Sequence, residues 1–146
     1  MEAKLVSGLY GIVAGKTAIS SAGKNHKLNY RGYSIEDLVQ NSSFEEVAYL
    51  LIYGILPTSS QLKCFVTEIN SNRIIPEKLK SVLELTPANS HPMDVMRTIV
   101  SFLGMIEPEN EGNNQFQILC RLFGIYAPAL AYWYHFSKNG VPPHFP

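Results

Sequence analysis

From residue 35 onward the apolar positions recur three and four apart, the spacing that lines one face of a helix. Ile35, Leu38 and Val39 form a first short face behind Ser34, which together with Asp37 resembles a capping box. Ser43 and Glu46 repeat that device around Phe44, Val47, Ala48, Leu50 and Leu51, and Gly54 stops the run. Pro57 and Thr58 open a third helix on Leu62, Phe65, Val66 and Ile69; Pro76 opens a fourth on Leu79, Val82 and Leu83. Ser90 precedes a fifth, whose apolar face is Met93, Met96, Ile99, Val100 and Leu103. Residues 107–114 read as an acidic loop bearing Gly and Asn. The last helix covers residues 115–137 and is expected to bend at Pro128, whose ring removes a backbone bond.

The first 34 residues follow a different rule. Glycines separate short β-prone pieces at residues 9–12, 17–20 and 27–33, and residues 21–25 read as a hairpin turn between the last two. Two or three such strands are too few to stand alone. The pattern therefore predicts a mainly α chain, a small N-terminal β ribbon followed by about six helices, dividing near Glu36. Residues 141–146, Val-Pro-Pro-His-Phe-Pro, read as a tail without regular structure.

Composition narrows the class. In 146 residues, twelve Lys and Arg balance twelve Asp and Glu, which leaves no basic footprint for general nucleic-acid binding. A hydrophobic share of 46% is more than a disordered chain carries. The longest apolar stretch, around Ile125 to Trp133, is broken by Pro128 and falls short of a membrane span. No secretory leader opens the chain, and Cys64 and Cys120 stand far apart, so a cytoplasmic protein with isolated thiols is expected.

Candidate chemistry is sparse. His26 and His144 read as solvated, His91 as a helix cap or packing residue, and His135 as part of an aromatic-rich helix face. No metal-ligand spacing occurs, so no metal is expected. Gly8, Gly11 and Gly15 spell no phosphate loop, and no Gly-x-Ser-x-Gly elbow frames a nucleophile. Glu45 and Glu46, and Glu107, Glu109 and Glu111, read as solvated carboxylates. Asp94 and Arg97 read as a helix-surface pair. Arg31 is the most suggestive polar position: it either binds an anion or pins the ribbon to the first helix, and the second reading is favoured.

Four stretches carry a resemblance. They are Gly11-Ile-Val-Ala-Gly-Lys-Thr-Ala-Ile-Ser20, Tyr30-Arg-Gly-Tyr-Ser-Ile-Glu-Asp-Leu38, Phe44-Glu-Glu-Val-Ala-Tyr-Leu-Leu-Ile-Tyr-Gly54 with Leu56-Pro-Thr58, and Ser90-His-Pro-Met-Asp-Val-Met-Arg-Thr98. In this order and spacing, joined by Ala127-Pro-Ala-Leu-Ala-Tyr-Trp-Tyr-His135, they resemble the amino-terminal part of the citrate synthase family. Within it they are most similar to the 2-methylcitrate synthase branch, with ordinary citrate synthase a close second. The match runs to Gly140.

The resemblance implies a dimeric, almost all-helical, two-domain acyltransferase that joins an acyl-CoA, propionyl-CoA or acetyl-CoA, to oxaloacetate and then hydrolyses the thioester. It implies no cofactor. That chemistry needs an Asp base, His donors and arginines for the keto acid's carboxylates. The family draws them from a His-Gly-Gly-Ala-Asn segment, a Gly-His-Arg-Val-Tyr segment and later helices, none of which occurs in these residues. The expectation is therefore a chain truncated before its active site, with no catalytic residue of its own and no activity alone. Its organisation would be a ribbon at 1–34, a partial helical large domain at 35–140 and a divergent tail at 141–146. Glu68 occupies the position where the resemblance places a basic, substrate-proximal residue, and the helix over residues 91–103 matches one in the family's dimer core. The alternative is a non-catalytic helical fragment that associates with itself or with a full-length paralogue.

Overall fold

A computed structural model describes residues 15–22 and 28–141. Among them, three short strands and six helices follow in order: β1 (Ser20–Ala22), β2 (Leu28–Tyr30), β3 (Tyr33–Ser34), α1 (Ile35–Asn41), α2 (Phe44–Tyr53), α3 (Ser59–Ser71), α4 (Glu77–Leu85), α5 (Pro92–Ile106) and α6 (Gln115–Asn139). This is the mainly α chain with a small β ribbon that the pattern predicts. The strand expected at residues 9–12, most of the turn at 21–25, His26, His144 and the tail after Val141 lie outside the described residues. Two compact units divide the chain, with the boundary between Leu62 and Lys63 inside α3.

In the first unit the antiparallel sheet has the order β1-β2-β3, with Ser20 opposite Tyr30 and Tyr30 opposite Tyr33. The single strand expected over residues 27–33 is instead a hairpin. Arg31 and Gly32 take φ of 50° and 93°, and two successive left-handed residues turn the chain in the sense that matches strand twist. Ser34 then accepts from the Asp37 amide at 3.1 Å and starts α1. Ser43 and Glu46 close a full capping box on α2, at 3.2 and 2.7 Å. Leu38, Ala48, Tyr49 and Leu50 are the buried residues of these two helices.

The core of the second unit lies where α4, α5 and α6 meet. Leu79 and Leu83 come from α4, Val95, Ile99 and Leu103 from α5, and Ile125, Ala129, Tyr132 and Trp133 from α6, with Ile75 at the edge. Each large aliphatic side chain buried there contributes roughly 1.5–3 kcal/mol of transfer free energy. The inward face of α5 is rotated from the one expected. Its buried line is Val95, Ile99 and Leu103, four apart, whereas Met93 is 62% exposed. The expected face straddled two rows, and packing against α4 and α6 selects one of them.

Helix α6 runs unbroken through Pro128. It comes close to a neighbour at Gly124, where a Cβ would lie 2.5 Å from the Ile69 carbonyl oxygen and 2.9 Å from the Asn72 carbonyl. Those are backbone atoms at the end of α3, with no flexible side chain to yield. Beside them, the Cys120 thiol is fully buried, and burial followed by the nearby Glu68 carboxylate raises its pKa.

Two glycine-to-alanine substitutions on neighbouring helices are expected to act with opposite sign. Alanine is the better helix former by about 1 kcal/mol, and at Gly104 of α5 nothing lies within 4 Å of the new methyl. Gly104→Ala should therefore raise the urea midpoint. At Gly124 the clash with backbone outweighs that gain, and Gly124→Ala should lower stability by about 1–3 kcal/mol. Equal shifts from the two variants in urea melts would contradict the close approach at Gly124.

Candidate functional site

Arg31 is held by three carbonyls. Its own amide donates to the Ile19 oxygen at 2.9 Å, Nη1 to the Ala18 oxygen at 3.3 Å and Nη2 to the Leu51 oxygen at 2.9 Å. Leu51 lies in the last turn of α2, where carbonyls lack helical partners and attract positive charge. The guanidinium thus pins the ribbon to α2, not to the first helix as expected. Nε is buried and makes no hydrogen bond. The bonded side-chain donors point at the protein's own backbone, as a pinning role requires.

The second interior arginine, Arg121, was not singled out by sequence reasoning. It ties together three separate parts of the second unit. Nε and Nη2 meet Glu107 Oε2 and Oε1 at 2.9 and 3.1 Å, a two-pronged pair, and Nη1 donates to the Asn72 and Ile74 carbonyls at 2.7 and 2.9 Å. Side-chain exposures of 16% for Arg121 and 34% for Glu107 put the pair well below the usual surface bridge. Glu107 is therefore not the solvated loop carboxylate expected. The available signal was an arginine inside the apolar run Leu119, Cys120, Leu122, Phe123, where a charge demands a partner.

This pair stands between two clefts. On one side an apolar groove of about 240 Å³ is lined by Val100, Leu103, Gly104, Ile118 and Leu122. On the other a polar cleft of about 550 Å³ is lined by Glu68, Asn72, Asn110, Asn113 and Gln117. Glu68 thus does line a cleft, as a carboxylate near the Asn72 amide at 3.5 Å. Of the two carboxylates there, Glu107 is committed to Arg121, so the cleft presents Glu68 and amides and no acid–base pair. Among the described residues no three His, Cys, Asp or Glu side chains converge to hold a metal ion.

The other candidates have local roles. His91 caps α5, its Nδ1 accepting from the Met93 amide at 3.2 Å. His135 sits edge-on to Tyr134, with ring centroids 5.8 Å apart. Asp94 and Arg97 form the surface pair expected, at 3.1 Å. Tyr132, buried in the core, donates to Glu84 at 2.6 Å and so ties α6 to α4. Burial, then the hydrogen bond to Glu84, push its phenol from 10.0 up to about 12.

The sign of that shift gives a pH dependence. The unfolded chain loses this proton first, so the contribution of Tyr132 is fully present below about pH 10 and falls as pH rises towards about 12. Tyr132→Phe should cost about 1–3 kcal/mol at neutral pH. It should also show a smaller loss of stability across that alkaline window than the unmodified chain, measured by denaturant melts. Parallel alkaline profiles would contradict the Tyr132–Glu84 contribution.

Comparison with known proteins identifies the surrounding scaffold. A family described as citrate synthase, C-terminal domain, matches residues 8–146. The 2-methylcitrate synthase of Shewanella oneidensis is 48% identical over 136 residues, covering 92% of this chain and 36% of that protein. The crystal structure of citrate synthase from Thermotoga maritima superposes with a TM-score of 0.77 at 33% identity, covering 90% of this chain and 34% of that one. The fold also matches the citrate synthase of Thermoplasma acidophilum in ternary complex with carboxymethyl coenzyme A and oxaloacetate, with a TM-score of 0.79 at 21% identity, covering 94% and 37%. The chain spans about a third of the length of these relatives. It belongs to the citrate synthase family.

Proposed function

We propose that this chain supplies the amino-terminal scaffold of a 2-methylcitrate synthase-type acyltransferase acting in the cytoplasm, and that its 146 residues alone do not catalyse the reaction. The whole enzyme would condense propionyl-CoA with oxaloacetate and hydrolyse the thioester, as a step of propionate catabolism. The observation that carries this reading is the 48% identity with a 2-methylcitrate synthase across nearly the whole chain. Placement on the amino-terminal side rests on the order of the motifs. Oxaloacetate needs free arginine forks for its carboxylates, yet the half-buried Arg31 and Arg121 spend their bonded donors on backbone carbonyls and Glu107. Glu68, a carboxylate, is unsuited to an anionic substrate. These facts favour a structural role for this segment.

Thiol release from propionyl-CoA with oxaloacetate tests the proposal in two arms. The purified chain alone is expected to release none, and robust turnover by it overturns the assignment of catalysis to other residues. A chimera carrying this chain in place of the matching third of the Shewanella oneidensis enzyme is expected to turn over and to prefer propionyl-CoA to acetyl-CoA. A soluble, helical chimera without thiol release overturns the scaffold reading.

A second reading, a non-catalytic fragment that self-associates, draws on the outward side of α5. Met93 and Met105 are 62% and 68% exposed near its two ends, and exposed apolar surface promotes association. Homodimerisation through this helix would use that outward side, because Ile99 and Leu103 are already buried in the chain's own core. Sedimentation velocity should then show a dimer that Met93→Glu with Met105→Glu converts to monomer. A monomer at every concentration would remove this reading.

A further inference from the structure

The start of α5 is closed by an unusual acceptor. Pro92 at the first helical position has no amide proton, so the first free donor of the helix is the Met93 amide, and His91 Nδ1 receives it at 3.2 Å. A neutral imidazole can accept there; an imidazolium donates from both nitrogens and cannot. Protonation also sets a positive charge at the positive end of the helix dipole.

A replacement partner lies within the same turn. Asp94 occupies the third helical position, from which a side chain reaches back to the capping residue in a capping box. Its carboxylate is held by Arg97 in a pair whose members are 60% and 81% exposed, and such pairs contribute little. We propose that His91 is a proton-operated cap: neutral, it receives the Met93 amide; protonated, it releases that amide and turns to the Asp94 carboxylate, displacing Arg97.

Apart from Lys78, the charged and histidine side chains of α4 and α6 have partners of their own. Residues 86–90 carry no ionisable side chain, and the cleft between the end of α4 and the start of α5 has Asp94 as its one charged lining residue. On α4, Lys80 pairs with Glu77 and Glu84 receives the Tyr132 hydroxyl, while Lys78 is the remaining charge. On α6, Arg121 holds Glu107, Lys138 lies over the Tyr134 ring and His135 contacts the same ring edge-on. One favourable contact replaces another, so the device changes local geometry at the first turn of α5 more than it changes global stability.

The full chain, labelled with ¹⁵N and taken from about pH 8 to about pH 5, provides the test, because imidazole changes charge in that range. The Met93 amide proton is expected to move upfield together with the His91 ring resonances as the hydrogen bond to Nδ1 is lost. In His91→Asn, whose side-chain oxygen caps without titrating, the Met93 resonance should stay in place. In Asp94→Asn, where the imidazolium has no carboxylate to turn to, the Arg97 side-chain Nε resonance should stay in place on acidification, whereas in the unmodified chain it should move as Arg97 is displaced. A Met93 resonance that is constant in the unmodified chain, or that follows the same curve in His91→Asn, overturns the proton-operated cap. An Arg97 Nε resonance that is constant in the unmodified chain, or that moves equally in Asp94→Asn, overturns the exchange with the carboxylate.

Discussion

The backbone of α6 touches the end of α3 at Gly124, close enough that any side chain would enter the Ile69 and Asn72 carbonyls. That contact sets the depth at which α6 lies. From it the register of the whole second unit follows: Ile125, Ala129, Tyr132 and Trp133 reach the layer of Leu79, Leu83, Val95, Ile99 and Leu103. One turn before Gly124, Arg121 fastens the same region by donating to the Asn72 and Ile74 carbonyls, so the segment leaving α3 is clamped against α6. A missing side chain and a fully engaged one thus fix the same joint, the first by permitting approach and the second by bonding across it.

Local rules were legible in the sequence to the extent that they are local. The Ser43–Glu46 capping box, the Ser34 cap and the stop at Gly54 all involve residues within four positions of their partners, and they stand where the pattern put them. Residues 27–33 read as one β-prone piece; Arg31 reverses the chain within it by adopting a conformation rare for a side-chain-bearing residue. The inward face of α5 could not be chosen from spacing alone, since Met93, Met96 and Val100 make as good a stripe as Val95 and Ile99. Only the neighbouring helices break that tie.

The candidate site was less legible than the fold, and for a physical reason. Arg121 meets Glu107 from 14 positions away and the Asn72 carbonyl from 49 positions away, distances at which no periodicity operates. Glu68 could be placed by motif order, yet its surroundings, a polar cleft beside the Arg121–Glu107 pair, are assembled by α3, α6 and the loop between α5 and α6 together. The bonded donors of both half-buried arginines go to backbone carbonyls and, for Arg121, to Glu107. An arginine in sequence is weak evidence for a ligand contact until its donors are traced.

The sequence separation of the contacts around α6 carries a consequence for how the chain is made. Tyr132 bonds Glu84 across 48 residues, and the core that buries Leu79 and Leu83 takes Ile125, Ala129, Tyr132 and Trp133 from α6. At synthesis rates of about 5–20 residues per second, several seconds pass between the emergence of α4 and that of the residues that cover it. During that interval the apolar rows of α4 and α5 have only each other. The Arg31–Gly32 hairpin and its clamp on Leu51, by contrast, join residues at most 20 apart and can close while the rest is still being translated. The nascent chain therefore passes through a window in which the Arg31–Leu51 region can be ordered while α4 and α5 still await α6.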